Sequence, residues 1–324
     1  MPATKKSPPK VIAGAAAVGD VPGDDLARYG TIDEINAYLG AFARRGHKHL
    51  DTSRMYGASE ARLGAAAAGT SGGFLVDTKV MSWEPGSHTK ARILEEIDTS
   101  LAALKVDRIN VEYLHVPDRT VPFREACEAM DEAHRAGKIA AWGLSNYTAD
   151  EVEQIAGICE EAGLVKPSVY QGQYNPVVRG GEKALFPVLR KHGMAFYAYS
   201  PSTGGFFAGN FKEARKGGRW DTSTVPGQIY TKAYLRPSIL AAAERAVQAA
   251  AAHGITGHAM ALRWTMHSGV LDGDRGDAVI VASSNLGQLE ENFAALEAGP
   301  LPADVAEALE VLHGEVGDEV AYHL

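Results

Sequence analysis

Cysteine is almost absent: Cys127 and Cys159 are the only two in 324 residues. A disulfide framework and a thiolate metal cluster are both excluded, and a reducing, cytoplasmic setting is expected. Long apolar runs are missing too. The stretch VIAGAAAVGD after the basic, Pro-rich start is too short and too interrupted for a membrane span or a secretory h-region. Nor is there an excess of positive charge. The net charge is −8 with both signs interspersed, so the basic stripe that nucleic-acid binding requires is lacking. Neither GxGxxG nor GxxxxGK[ST] occurs, which removes the Rossmann and P-loop routes to a nucleotide.

What remains is an ordinary globular composition, 45% hydrophobic and 22% charged. Eight short apolar runs recur between helical patterns. They are Val11–Ala17, 47–53, Phe74–Val80, Asn110–Val116, Ala140–Asn146, Val169–Asn175, Ala195–Pro201 and Ala278–Ser284. Between them lie amphipathic segments such as the one carrying Ile35, Leu39 and Phe42, or Ile93, Ile97, Leu101 and Leu104 on one face, and Thr148 with Glu151 forms a capping box. Eight strand–helix units predict an α/β fold, a parallel eight-stranded (β/α)8 TIM barrel in a single domain. Residues 1–10 are expected as a disordered tail and 11–324 as the barrel, with two helices after Gly299 as an appendage. Gly204 to Gln228 shows no periodicity and reads as a long functional loop.

A barrel of this type carries its chemistry at the C-terminal ends of its strands. There the sequence places Asp51, Lys79, His115, Ser145 with Asn146, Gln171 with Tyr174, and Tyr199 with Ser200, on six consecutive strands. Singly, a lysine is a surface charge and a histidine a core hydrogen-bonder. Together with Tyr56, just past the second strand in LDTSRMYG, they form a carboxylate, an ammonium, a phenol and an imidazole at one rim. A lysine cation beside a phenol favours the phenolate, so an unusually acidic Tyr56 is expected as a general acid.

The motifs LDTSRMYG, VDTKV, YLHVPD, GLSNY and VYQGQYNP occur in the order of the aldo-keto reductases, which the chain resembles from about Val11 to beyond Asn292. The phrases ARRGHKHLDTSRMYG and ALFPVLRKHGMAFYAYSP are most similar to the aflatoxin-aldehyde reductase branch. The resemblance implies NADPH-dependent reduction of aldehydes, ketones or dicarbonyls with no metal, NADH remaining open. It gives Tyr56 as acid, Lys79 and Asp51 as its modulators and His115 as the group that orients the carbonyl. It further implies Ser145, Asn146 and Gln171 on the nicotinamide carboxamide, Tyr199 stacked on its ring, and Ser200, Pro201, Gly204 and Gly205 along the pyrophosphate. Ser283, Ser284, Gln288, Glu291 and Asn292 would hold the adenosine end. The cations that relatives use for a 2′-phosphate are replaced here by Ala282 and Gln288, so Arg219, with Lys212, Arg215 and Lys216, is the expected source of charge. Met81, Trp83, Tyr174 and Phe206 are expected to line an apolar substrate wall. The tail GDEVAYHL lacks the arginine that would suit acidic aldehydes.

The partner expected is a small carbonyl compound, acting on a monomer or homodimer. Two rivals are a Schiff-base lyase using Lys79 and a non-catalytic module that senses bound nucleotide.

Overall fold

The computed structural model describes residues 6–19, 27–216 and 218–324. Eight strands, β1 (Lys10–Gly14), β2 (His49–Asp51), β3 (Leu75–Val80), β4 (Ile109–Leu114), β5 (Ile139–Ser145), β6 (Val169–Gln173), β7 (Ala195–Tyr199) and β8 (Ala278–Val281), pair in chain order into a closed parallel barrel. The ring shuts where Ile12 of β1 stands in register with Ile280 of β8. Each strand falls on one of the eight apolar runs, with most C-terminal ends trimmed by a residue or more, while β1, β4 and β5 start one residue earlier than expected.

Two-residue alternation decides which side chains fill the barrel. Ile12, Ala278 and Ile280 point inward and form an interior cluster with Tyr197 and Tyr199, whereas Val11, Ala13, Val279 and Val281 point outward into the layer under the helices. That outer layer is covered by α1 (Ile32–Ala43), α2 (Ser59–Ala65), α3 (Lys90–Leu104), α4 (Phe123–Arg135), α5 (Ala149–Ala162) and α6 (Gly181–Lys191). The predicted capping box of α5 is formed: Thr148 Oγ1 accepts from Glu151 N–H while Glu151 accepts from Thr148 N–H. Among the described residues no helix is long and apolar enough to cross a membrane.

Four features depart from expectation. The stretch after β7 is not structureless: it makes short 3-10 turns over Thr203–Ala208 and Asn210–Glu213, then α7 (Val225–Tyr234). Two helices follow where one was foreseen, α8 (Pro237–Ala252) and α9 (Gly257–His267). Beyond α10 (Leu286–Glu297), one helix instead of two occurs after Gly299, α11 (Ala303–Val316). Gly317 stops it, and the tail runs back to the barrel, where Leu324 N–H donates to Asn146 O at 3.1 Å. At the other end, Lys10 already belongs to β1 and Ser7 O accepts from Gly273 N–H at 2.9 Å, so residues 6–10 are placed; the rest of the expected tail, 1–5, lies outside the described residues.

Candidate active site

β2 ends on Asp51 and β3 carries Lys79 one position from its end, so adjacent strands bring the two side chains together inside the mouth. Lys79 is completely buried, and its Nζ donates to Asp51 Oδ1 at 2.7 Å, Asp51 Oδ2 at 2.8 Å and Thr52 O at 2.7 Å. Gln171 from β6 adds a bond from Nε2 to Asp51 Oδ1 at 2.7 Å. An ammonium with this many acceptors is a fixed charge: Asp51 and Tyr56 push its pKa above the ordinary lysine value against desolvation. The same burial lifts the Asp51 carboxyl, with Lys79 and Gln171 holding it back. An imine-forming lysine needs a free lone pair, and this geometry withholds it.

Tyr56 sits on the turn that leaves β2, where its N–H donates to Ser53 O at 3.0 Å. Lys79 Nζ lies 5.1 Å from the centroid of its ring, and the His115 ring meets it edge to face at 5.9 Å. The expected acidity is not what results. Burial is the largest influence on the phenol and carries its pKa above the ordinary value; the charge of Lys79, a hydrogen bond from it and the charge of Arg219 lower it without reversing the sign. Tyr56 is therefore protonated throughout the physiological range. His115, one residue past β4, is driven the other way: desolvation and Lys79 push the imidazole well below its ordinary range, so it is neutral.

The opposite side of the mouth is a tied set. Asn146 Nδ2 donates to His115 O and to Ser145 Oγ, both at 3.0 Å, and Tyr199 OH donates to Asn146 Oδ1 at 2.8 Å. Both N–H groups of the Asn146 amide and one lone pair of its oxygen are thus engaged, and Ser145 Oγ, as the acceptor, keeps its own hydrogen to donate. The Tyr199 ring, pinned through its OH, offers a flat apolar face at the exit of β7, suited to stacking on a planar heterocycle. Five non-glycine residues among the described ones have positive φ, and Asn146, Ser200 and Thr203 at this mouth are three of them. Backbone strain of that kind concentrates where a ligand is handled.

Gly204 and Gly205 also have positive φ, 61° and 79°, and a Cβ at Gly205 would meet Asn210 Nδ2 at 2.2 Å. The loop around them is stapled by aromatics. Trp220 Nε1 donates to Gly204 O at 2.8 Å, Ser200 Oγ is hydrogen-bonded to Tyr230 OH from α7, and Pro201 O accepts from Thr265 Oγ1 at 3.2 Å. Arg219 lies over the Tyr230 ring at 5.8 Å, near enough to Tyr56 and Tyr199 for its charge to lower both phenols. Its charge therefore reaches the Tyr56 side of the mouth. Lys212, Arg215 and Lys216 are solvent-exposed along the same loop.

At the exit of β8, Ser283 Oγ pairs with Tyr29 OH at 3.1 Å, and Asn292 Oδ1 is 2.7 Å from His258 Nε2 while its Nδ2 donates to Ala282 O. Gln288 folds back on its own helix start, Oε1 accepting from Ser284 N–H at 3.2 Å. Ser284 and Glu291 are exposed.

The substrate wall needs correction. Met81 and Trp83 follow β3, and Trp83 is 54% exposed. Tyr174 does not face the mouth: Gln171 and Gln173 are on the interior side of β6, so parity turns Tyr174 outward, where its OH donates to Glu182 and accepts from Val270 N–H beside Trp264. Phe206 is buried beneath the loop between Phe207, Phe211 and Tyr234. Both are packing residues. Sequence reasoning missed Ser53, whose Oγ is 3.1 Å from His115 Nδ1, and Tyr230. Ser53 was visible within LDTSRMYG; Tyr230 had no signal beyond an apolar spacing in α7.

Comparison with known proteins agrees with this geometry. A profile described as the aldo/keto reductase family matches residues 10–313. The chain is similar to an aldo-keto reductase of Pseudocercospora fijiensis, 38% identical over 84% of this chain and 95% of that one. It is also similar to the human aflatoxin B1 aldehyde reductase member 2, 38% identical over 84% and 79%. Oxidoreductase sirO of Leptosphaeria maculans is 33% identical over 100% of this chain and 99% of its own. A crystal structure assigned to a 2,5-diketo-D-gluconic acid reductase B superposes with a TM-score of 0.62 at 20% identity, over 93% of this chain and 86% of that one, which supports the fold.

Proposed function

Because the chain belongs to the aldo/keto reductase family, and is by that membership an NAD(P)H-dependent oxidoreductase of carbonyl compounds, we propose that it reduces aldehydes and dicarbonyls to alcohols with NADPH, Tyr56 being the proton donor. The bound reduced nicotinamide supplies a hydride to the carbonyl carbon. The chain's residues do the rest. Tyr56 O–H gives its proton to the carbonyl oxygen, and the phenolate left behind is stabilised by Lys79 and reprotonated from solvent. A phenol with a raised pKa still performs this step, since a developing alkoxide is a much stronger base than a phenolate. Asp51 keeps Lys79 charged and aimed, and neutral His115 contributes a hydrogen bond without competing for the proton.

One observation carries the reading: the buried Asp51–Lys79 pair lies directly behind a partly exposed phenol at the barrel mouth. Aldehydes are favoured because relatives at 38% identity are named aflatoxin B1 aldehyde reductase. The two free cysteines, both buried, fit a cytoplasmic enzyme. The test is loss of nicotinamide absorbance with 4-nitrobenzaldehyde or a vicinal diketone, NADPH and NADH run in parallel. Tyr56→Phe abolishes turnover and leaves nucleotide binding intact; equal activity of Tyr56→Phe refutes the role of Tyr56.

A further inference from the structure

A neutral imidazole has one N–H, and only one of its two tautomers points that proton at a substrate. His115 Nδ1 faces Ser53 Oγ at 3.1 Å. Ser53 is 1% exposed, and its oxygen already accepts from Met55 N–H at 3.1 Å. The hydroxyl hydrogen of Ser53 therefore needs an acceptor. Among the described residues the acceptor within reach is His115 Nδ1. If Nδ1 carried the proton, it would donate to Ser53 Oγ and strand that buried O–H without a partner, at the cost of an unmade hydrogen bond.

Charge supports the same assignment. Protonating both ring nitrogens would satisfy a donor to Ser53 as well, but desolvation and the Lys79 ammonium oppose a second positive charge here. His115 is thus held neutral by burial and by the charge of Lys79 behind it, and only its tautomer is left for a neighbour to choose. The backbone on both sides is fixed: Asn146 Nδ2 holds the His115 carbonyl at 3.0 Å, and Arg54 N–H donates to Lys79 O at 3.1 Å immediately after Ser53. The imidazole is left to turn only about its own side-chain bonds, and Ser53 anchors the inner edge.

We propose that Ser53 is a positioning residue that sets the tautomer of His115: its hydroxyl donates to Nδ1, leaving Nε2–H as the donor aimed at the substrate carbonyl. The inference rests on the proposed carbonyl reduction for its purpose, but its physical content is a proton position that can be read without turnover. Ser53 touches neither reacting atom and acts through His115.

The test is 15N NMR of the intact protein labelled at histidine, with His115→Gln to assign the signals, in wild type, Ser53→Ala and Ser53→Thr. The expected result is an unprotonated Nδ1 and a protonated Nε2 in wild type and in Ser53→Thr, which keeps the hydroxyl. In Ser53→Ala the tautomer ratio falls about tenfold, the size of one lost neutral hydrogen bond, towards a mixture, and kcat falls about twofold with the KM for nucleotide unchanged. A proton on Nδ1 in wild type, or a His115 spectrum indifferent to Ser53→Ala, overturns the assignment. Absence of wild-type turnover on the carbonyl panel counts against the proposed reaction and leaves the spectra to decide Ser53 alone.

Discussion

Lys79→Met leaves the Asp51 carboxylate, 3% exposed, with Gln171 as its remaining side-chain donor and Asp77 as a neighbour of like charge. Truncating one partner of a buried pair costs about 3–5 kcal/mol. With an unfolding entropy of about 2.1 cal/mol/K per residue, a chain of this length loses roughly 1.5 °C of Tm per kcal/mol, so Tm falls by about 4–7 °C. The loss has a pH signature. The folded Asp51 pKa lies above its ordinary value because of burial, and removing Lys79 raises it further. A carboxyl of that kind binds protons more tightly folded than unfolded. Its stabilisation is complete below the unfolded value of about 3.9 and is lost as pH rises through the folded value. The deficit of Lys79→Met is therefore larger at pH 8 than at pH 5. Adding Asp51→Asn, which keeps an oxygen for Gln171 and removes the orphaned charge, restores most of the Tm. Calorimetry of the two single variants and the double variant at both pH values measures all of this. A Tm within a degree of wild type, or a deficit independent of pH, refutes the claim that the pair is a coupled, desolvated unit.

Histidine supplies the opposite slope: His115 lies well below its ordinary range and His88 at about 4, both chiefly from burial. Unfolded imidazoles bind protons below about pH 6.5 that these two refuse, so stability falls as pH drops from 7 to 5, His49 with its raised pKa partly offsetting it. Urea midpoints of wild type and His88→Gln at the two pH values should show the variant with the shallower fall. Gly205→Ala forces a side chain into φ 79° against Asn210; the backbone alone costs about 1–2 kcal/mol of stability, read as a lower urea midpoint than wild type. Arg219→Ala removes a cation whose charge reaches Tyr56 and Tyr199, and is expected to weaken NADPH and NADH alike, by about tenfold for a lost charge-assisted contact. A loss confined to NADPH would instead put Arg219 at the 2′-phosphate.

The barrel was legible because strand and helix periods differ so sharply here. Runs such as Phe74–Val80 and Ala195–Pro201 are apolar and short, and the segments between carry stripes like Ile35, Leu39 and Phe42. Asp51, Lys79 and His115 were legible for a related reason, since an ionisable residue ending an apolar strand has nowhere inexpensive to go except a mouth. Parity was the information needed and not applied at β6: counting in twos from Gln171 reaches Gln173 and sends Tyr174 outward. α7 escaped notice because Val225–Tyr234 is short, carries Pro226 and Gly227 in its first turn, and is held by contacts to Trp220 and Phe206 rather than by its own pattern. The direction of the Tyr56 shift was also hidden, because desolvation depends on the whole mouth and not on the one lysine recognisable beside it.

The path of the last residues has a practical side. Leu324 bonds to the backbone of Asn146, Arg119 grips the Leu324 carbonyl, and Ala149 N–H donates to the Tyr322 hydroxyl. A purification handle fused after Leu324 would thus be grafted beside Ser145 and Tyr199, whereas Ser7 and Lys6 bond to Gly273 and Val270 near the start of β8. The two ends of the described chain are thus anchored at opposite ends of the barrel.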